Sequence, residues 1–405
     1  MPREKKVEQY DVVIIGGGAA GLTAGIYCGR ARLNTLLIEK ALVGGLATYT
    51  NEIENYPGFP EGTTGLGLMK LFQEQAKKFD VKFKGTDVQK VHLDGEIKKV
   101  ETFRNIFEAK VVIIAAGGRP RTTGAENEDI FLYDKGISFC ATCDAAANTD
   151  KVVVVIGSGD AAIEEGTFLT KFASKVIVSV LHDEGIMDCN EIAKEAALRN
   201  PKMEFVWNSV VERFEGEDHL ERVVLKNIKT DELIPIEADT CFEFIGYLPN
   251  TDIFKGIVDM TDRGYINVTR NMETNIQGVF ACGDVTEKYL KQVATAVGDG
   301  AIAGFATEKY IAESEIFEEQ ILTEELSLSY IYNAIDGDSR AYLTTMEKLE
   351  DEVEAKINIV DVYKSTGIAD RLGVKEYPCV VVVKDKKVVE VIKGLPSKED
   401  IQSKL

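Results

Sequence analysis

Short β-branched runs punctuated by glycines set the pattern of the first three quarters of the chain. Asp11-Val-Val-Ile-Ile15 has no polar alternation, the signature of a parallel strand buried on both faces. It runs into Gly16-Gly-Gly18-Ala19-Ala20-Gly21 and a helical stretch to about Arg32. The next strand, Thr35–Ile38, ends at Glu39. Leu66–Phe79 has helical periodicity, with Leu68, Leu71, Phe72 and Ala76 expected on the inner face. Strands are expected near Val81–Phe83, Val88–Leu93, Lys98–Phe103 and Val111–Ala115, the last leading into Ala116-Gly117-Gly118. The arrangement then repeats. A strand Val152–Ile156 precedes Gly157-Ser-Gly159-Asp-Ala-Ala162, a helix Ile163–Phe172 and a strand Val176–Leu181. Phe244–Thr251 marks a crossing between domains. A later strand ends in Gly283-Asp284, and Gln292–Tyr310 reads as a helix rich in small residues.

Beyond residue 312 the pattern changes. Glu313–Glu319 is an acidic connector. A strand Ser327–Tyr332, a capped amphipathic helix Ser339–Lys356, a strand Lys356–Val362, a short helix Thr366–Leu372 and a hairpin of Val380–Val383 with Val388–Ile392 follow. Leu343, Met346, Leu349 and Val353 are expected to face inward.

Composition narrows the field. A chain of 405 residues predicts two or three domains, and 45% hydrophobic residues suffice for ordinary cores. The formal charge, 47 − 67 = −20, repels nucleic acid and anionic membrane. No apolar run approaches the roughly 18 residues of a membrane helix, and the charged start lacks a signal-peptide core. Seven cysteines without a secreted framework fit a reducing interior, so a cytoplasmic location is expected.

The chemistry starts at the glycines. Strand, Gly-rich turn, helix, strand and acid form the dinucleotide fingerprint in its required context. Gly16 permits the tight turn, Gly18 lets the backbone approach a pyrophosphate at the helix N-terminus, and Gly21 lets helix and strand pack closely. Glu39 is placed to accept from a ribose diol. Between the two fingerprints lies Cys140-Ala-Thr-Cys143-Asp144. Two cysteines at this spacing can close and reopen a disulfide, with Asp144 moving the proton that governs thiolate content. Half a zinc site is the bland reading. It lacks a second ligand pair, because Cys28, Cys189, Cys241, Cys282 and Cys379 are scattered and His92, His182 and His219 show no ligand spacing, so no metal is expected.

With these residues in view, the chain resembles the low-molecular-weight thioredoxin reductase family. The matching segments are Gly16–Gly21, Glu54–Gly58, Gly136–Asp144, Gly157–Ala162, Gly246–Thr251, Phe280–Val285 and Lys291–Val293, in family order across about residues 8–312. The resemblance implies an α/β fold with two Rossmann-like domains. An FAD domain is expected from residues 1–117 and 250–312, interrupted by a nicotinamide-type domain, 118–249, that carries the CxxC. FAD would be held by Gly16, Gly18, Ala19, Ala20, Gly21, Glu39, Lys40, Gly45, Leu46, Asn55, Val88, Ala116, Gly117, Gly283, Asp284, Lys291, Gln292 and Val293. In the family the cysteine matching Cys143 faces the flavin, the one matching Cys140 attacks a protein disulfide, and the acid matching Asp144 handles protons. A homodimer, a domain rotation and a thioredoxin or thioredoxin-like protein substrate are implied as well. A linker at 313–322 and a domain at 323–405 follow; the latter resembles thioredoxin, with Pro378 as its cis-proline. Its CxxC is absent, since the chain reads Tyr332-Asn-Ala-Ile-Asp-Gly-Asp-Ser339. A docking, dimerising or occluding module and a purely structural addition both remain open for this tail.

Two departures bear on function. Leu46 stands where the family has Gln. NADPH-using members also carry an arginine cluster after the second Rossmann strand, whereas Val176–Ala193 contains no Lys or Arg and instead has Asp183, Glu184, Asp188 and Glu191. Carboxylates repel a 2′-phosphate, so NADPH is disfavoured. NADH, with Asp183 or Glu184 on its ribose and Gly157 and Gly159 at its pyrophosphate, is one donor; reduced ferredoxin is the other. The competing readings are a flavin–ferredoxin/nicotinamide oxidoreductase, which would lack the CxxC, and a redox-sensing or binding flavoprotein.

Overall fold

The computed structural model describes residues 5–49, 53–132, 135–350, 352–364 and 366–405. The chain divides into two compact units, Met1–Gly304 and Phe305–Leu405.

In the first unit, strand Lys6–Ile15 lies between Thr35–Glu39 and Asn105–Ile114 and is parallel to both. Val12, Val13 and Ile14 are wholly buried, as a run without alternation requires. Lys82–Gly85 extends the sheet on one side, and Lys98–Thr102 with Val88–His92 extend it on the other. Val279–Ala281 returns from far along the chain to pair in parallel with Val112–Ile114. A core of Val13, Ile15, Leu36, Ile38, Phe107, Val112 and Ile114 lies on one face.

Residues between these strands build a second, five-stranded parallel sheet. Its order is Met203–Trp207, Lys175–Val180, Val152–Ile156, Thr240–Glu243, Ile137–Ser138. The chain leaves the first sheet through Gly118–Pro120 and returns through Tyr247–Pro249, and these two segments pair antiparallel. The expected crossing at Phe244–Thr251 is therefore half of a paired double crossing. An antiparallel sheet of Ser209–Gly216, Leu220–Asn227 and Leu233–Glu237 completes the unit.

Several details differ from the sequence expectation. In helix Gly65–Lys78 the inner face takes Met69, fully buried, while Leu71 is 50% exposed. Helix Asp160–Leu169 begins directly at the second glycine turn rather than at Ile163. Helix Val293–Ile316 outlasts Tyr310 and continues as a π-helical turn, Phe317–Ile321, so the acidic run expected as a connector is helical. The expected helix Ser339–Lys356 is two helices, Gly337–Ala341 and Leu343–Glu350. Asp336, not Ser339, caps the first by accepting from the Ser339 backbone N–H at 3.0 Å. Part of that expected span, Asp351, lies outside the described residues.

The second unit has a four-stranded sheet in the order Lys356–Asp361, Ser327–Tyr332, Cys379–Lys384, Lys387–Lys393. The first pair is parallel and the others antiparallel. Short helices Gly367–Arg371 and Lys398–Gln402 accompany it, and the Tyr377–Pro378 peptide is cis. Cys379 is buried, and burial raises its thiol to about 11.

One core residue breaks the apolar pattern of the second sheet. Glu243 ends the strand Thr240–Glu243, is 2% exposed, and neither carboxyl oxygen has a hydrogen-bond partner. Burial first, and then the neighbouring Glu128 carboxylate, raise its pKa to about 9. Glu128 accepts from the Thr123 N–H and hydroxyl, each at 2.6 Å, and from the Gly124 N–H at 2.9 Å. The folded chain thus keeps a proton on Glu243 that the unfolded chain releases near the ordinary value of 4.5. The sign follows: stability is fully present below that value and declines as pH rises towards about 9. Glu243→Gln removes this dependence. Its melting temperature is expected to match the wild type at about pH 5 and to exceed it by a margin that widens up to about pH 9. Parallel melting curves for the two proteins across that range would contradict the assignment.

Candidate active site

The first glycine turn is formed by backbone packed against backbone. Gly16 has φ +109°, and a Cβ on it would collide with the Ala115 carbonyl; a Cβ on Gly21 would collide with the Gly16 carbonyl. A Cβ on Gly18, the N-cap of helix Ala19–Arg30, would meet only the Gly44 carbonyl, at 3.9 Å. Glu39 fastens the turn: its Oε2 accepts from the Gly17 N–H at 2.7 Å and its Oε1 from the Ala41 N–H at 2.9 Å. This leaves lone pairs on both oxygens.

A cavity of about 470 Å³ opens along this turn. Its walls include Gly16, Gly18, Ala19, Ala20, Glu39, Lys40, Gly45, Leu46, Asn55, Ala116, Gly117, Gly283, Asp284, Lys291, Gln292 and Val293. Two residues expected there lie elsewhere. Gly21 serves the packing beneath the turn, and Val88 is buried in the sheet core. The cavity walls also include Arg119, Asn250, Tyr247 and Ser138, which sequence reasoning missed. Arg119 donates to Asn250 Oδ1 at 2.8 Å, and Asn250 donates to the Ala116 carbonyl at 2.9 Å, bracing one wall. The Lys291 ammonium lies 4.6 Å from the Tyr265 ring centroid.

Two observations fit a dinucleotide. The wall beside Gly283 is bare backbone at φ +78°, where a Cβ would stand 2.7 Å from Ala20 Cβ. The next residue, Asp284, has a buried Oδ1 without a hydrogen-bond partner. Burial raises the Asp284 carboxyl, and Lys288 and Lys291 oppose that rise. A hydroxyl donor from a bound molecule would satisfy this oxygen.

The same cavity reaches the redox turn, since Cys140, Thr142, Cys143 and Asp144 are among its walls. Cys140 and Cys143 form a disulfide with Cα atoms 5.3 Å apart. Gln292 donates through Nε2 to Cys140 Sγ at 3.9 Å, and Asn55 donates to Gln292 Oε1 at 3.2 Å. Ser138 donates to Asp144 Oδ2 at 2.5 Å and accepts from the Cys140 N–H at 3.1 Å. Burial pushes the Asp144 carboxyl up, and the Ser138 bond works against it. Among the described residues the other cysteines form no disulfide: Cys28, Cys241, Cys282 and Cys379 are buried and Cys189 is partly so. Among the described residues no His/Cys/Asp/Glu group is arranged to hold a metal, and no helix is long and apolar enough to cross a membrane.

The second glycine turn is dressed differently. Gly157 has φ +123°, and a Cβ there would meet the Phe244 carbonyl at 2.7 Å. Gly159 caps helix Asp160–Leu169 and faces open space. The acidic loop folds onto this turn. Asp188 accepts from the Ser158 hydroxyl at 3.2 Å, its N–H donates to the Ser158 carbonyl at 3.0 Å, and its carboxylate contacts His182 Nε2 at 2.8 Å. His182 first, then Ser158, hold the Asp188 carboxyl below the usual range against the effect of burial. Asp183 pairs with Lys229, which lowers its carboxyl, while Glu184 is exposed. Lys229 comes from a turn 46 residues downstream, so inspection of the loop alone could not find it.

Comparison with known proteins matches this architecture. The model of the pyridine nucleotide-disulphide oxidoreductases matches residues 10–300. The thioredoxin reductase of Peptoclostridium acidaminophilum is 42% identical over 316 residues, covering 76% of this chain and 99% of the relative. That of Bacillus subtilis is 40% identical over 312 residues, covering 76% and 96%. The crystal structure of thioredoxin reductase from Streptococcus pyogenes superposes with a TM-score of 0.70 at 38% identity, covering 75% of this chain and 99% of that one. The chain is an oxidoreductase that belongs to the pyridine nucleotide-disulphide oxidoreductase family, within its thioredoxin reductase group.

Proposed function

We propose that this enzyme is a flavoprotein that reduces the disulfide of thioredoxin or a thioredoxin-like protein through Cys140–Cys143, with a donor other than NADPH. The observation that carries this reading is the shared cavity. The closed disulfide and Asp144 stand on the same walls as the first glycine turn and the orphaned Asp284 oxygen.

FAD fits the cavity, and when bound it supplies a reversible two-electron carrier. Gly16, Gly18 and the first turn of helix Ala19–Arg30 would receive its pyrophosphate, Glu39 would accept from its adenosine ribose, and Asp284 would accept from a hydroxyl of its ribityl chain. Lys40, Gly45, Leu46, Asn55, Ala116, Gly117, Lys291, Gln292 and Val293 supply the remaining walls. Cys143 is the flavin-side sulfur and Cys140 the one that attacks the partner. Exchange with the partner proceeds by thiolate attack through a mixed disulfide, with Asp144 holding or releasing the proton. Residues 1–117 and 250–312 form the flavin domain and 118–249 the redox domain. The paired crossings Gly118–Pro120 and Tyr247–Pro249 are the natural axis for a rotation that presents the disulfide to the partner.

NADPH is disfavoured because Asp183, Glu184 and Asp188 occupy the loop beside the second glycine turn, and Asp188 already takes the Ser158 hydroxyl. NADH or a reduced ferredoxin supplies the electrons. The sheet order of the second unit supports a thioredoxin-like domain. The segment Asn333–Asp338 has no cysteine, so this domain serves docking or assembly rather than dithiol chemistry. A homodimer working in the cytoplasm completes the reading.

The experiment is anaerobic bleaching of the flavin absorption band with NADPH, NADH or reduced ferredoxin in separate cuvettes. NADH or ferredoxin is expected to bleach it quickly and NADPH slowly; fast bleaching by NADPH would defeat the charge argument. Cys143→Ser is expected to stay yellow yet lose disulfide reduction entirely, and retained turnover would overturn the electron path. Gly283→Val places branched carbons against Ala20 and is expected to yield protein with little or no flavin absorption, read from its visible spectrum after purification.

A further inference from the structure

We propose that Ser138 is a positioning residue for the proton step at the Cys140–Cys143 disulfide, its hydroxyl fixing the Asp144 carboxyl to the redox turn and receiving the charge left there when a proton goes to sulfur. The inference rests on the disulfide-reductase reading above. Ser138 ends the two-residue edge strand Ile137–Ser138, which is anchored in parallel to Cys241 and Phe242, and it is only 8% exposed. Its hydroxyl therefore sits at the sheet edge, two residues before the redox turn begins at Cys140. It accepts from the Cys140 N–H at 3.1 Å. Its single proton has two candidate acceptors, Asp144 Oδ2 at 2.5 Å and the Cys140 carbonyl at 3.5 Å; distance and charge both favour the carboxyl. The backbone of Asp144 is tied separately, through its N–H to the Cys140 carbonyl at 3.2 Å and from Asn148 Nδ2 to its own carbonyl at 2.8 Å.

The surroundings give this bond weight. Helix Asp160–Leu169 packs against the redox turn and brings Asp160, Glu164 and Glu165, and Glu165 has a buried Oε2 without a partner. The cavity walls contribute Glu39, Lys40, Arg119, Asp284 and Lys291. Among the described residues none of the cations pairs with Asp144. Burial favours the neutral carboxyl and the Ser138 hydrogen bond favours the charged one. With two electrons supplied by a bound flavin, the S–S bond would break. One sulfur keeps its electron pair as a thiolate, the other takes the proton of Asp144, and the carboxylate so formed receives the Ser138 O–H. The hydrogen bond is worth more after the transfer than before it, which is how a positioned donor assists a proton step.

The test uses the oxidised, flavin-loaded protein. The infrared C=O band of protonated Asp144, identified by its loss in Asp144→Asn, is followed against pH. Ser138→Ala is expected to raise the midpoint by about one pH unit, the size of shift expected when a hydrogen bond to a charged group is lost. Ser138→Thr, which restores the hydroxyl, is expected to return it to the wild-type value. Ser138→Gly gives the same reading as the alanine variant should that one pack poorly. An unchanged midpoint in a folded, yellow Ser138→Ala protein, or an equal rise in Ser138→Thr, would overturn the proposal. The measurement needs neither donor nor protein substrate, so its failure is separable from failure of the reductase reading, which the turnover of Cys143→Ser addresses.

Discussion

Everything at the site depends on one long-range pairing, that of Val279–Ala281 with Val112–Ile114. A parallel neighbour can be supplied only by a crossover. Here the crossover is an entire second α/β body, inserted between residue 118 and residue 249. Closing the first sheet brings Gly283 against Ala20 and hangs Asp284 over the first glycine turn. The same closure obliges the inserted body to leave and return at adjacent points, hence the pairing of Gly118–Pro120 with Tyr247–Pro249. Its edge strand Ile137–Ser138 then delivers the redox turn to the cavity that the first sheet has built.

Within that frame, packing and polarity are divided sharply. At Gly16, Gly21 and Gly157 backbone meets backbone, and a side chain there would break the turn itself. Polar side chains appear where backbone cannot reach. Glu39 fastens the Gly17 and Ala41 N–H groups, Asn250 braces the Ala116 carbonyl, and Gln292 links Asn55 to the disulfide sulfur. Asp284 is the exception, a buried acceptor with an unused oxygen. Among the described cavity residues it is the fully buried side-chain oxygen without a hydrogen-bond partner, a place a hydroxyl donor would fit.

Much of this was legible in the sequence because it is local. A strand that stops at a glycine triplet, an acid at the end of the next strand and a CxxC followed by Asp are all contained within short windows, and the strands read from the apolar runs are observed near their expected places, whereas Met203–Trp207, Thr240–Glu243 and the antiparallel sheet Ser209–Gly216, Leu220–Asn227, Leu233–Glu237 were not read from the sequence. What was not legible depends on register between distant segments. The place of Met69 on a helix face, where Leu71 was expected, is decided by what packs against it. The burial of Glu243 follows from its strand pairing on both sides within a parallel sheet, which the short segment Thr240–Glu243 does not reveal by itself. Val88 was carried over by position, and it belongs to the sheet core because its strand pairs with Lys98–Thr102. Lys229 and Asp183 meet only because a distant turn folds back. The early start of the expected helix Ser339–Lys356, at Gly337, has a local cause after all. Asp336 competes with Ser339 for the cap and wins because its carboxylate reaches the Ser339 N–H.

The donor question turns on the magnitude of a few charges. Two unit charges about 4 Å apart interact by roughly 1 kcal/mol in bulk water and roughly 4 kcal/mol near a protein surface. Replacing an attractive arginine by a carboxylate changes the sign as well as removing the gain, so each exchange counts about twice. Asp183 is largely neutralised by Lys229, and Asp188 is partly offset by His182 when that ring is protonated. Glu184 is exposed, so solvent and salt screen it. These offsets reduce the repulsion, yet none supplies the missing attraction. A 2′-phosphate would enter the loop with no arginine to receive it, whereas a 2′-hydroxyl would find carboxylate acceptors. On the proposed reading, the charge pattern would therefore disfavour a 2′-phosphate more than the rest of the nucleotide, and would not bear on a donor that never visits the loop.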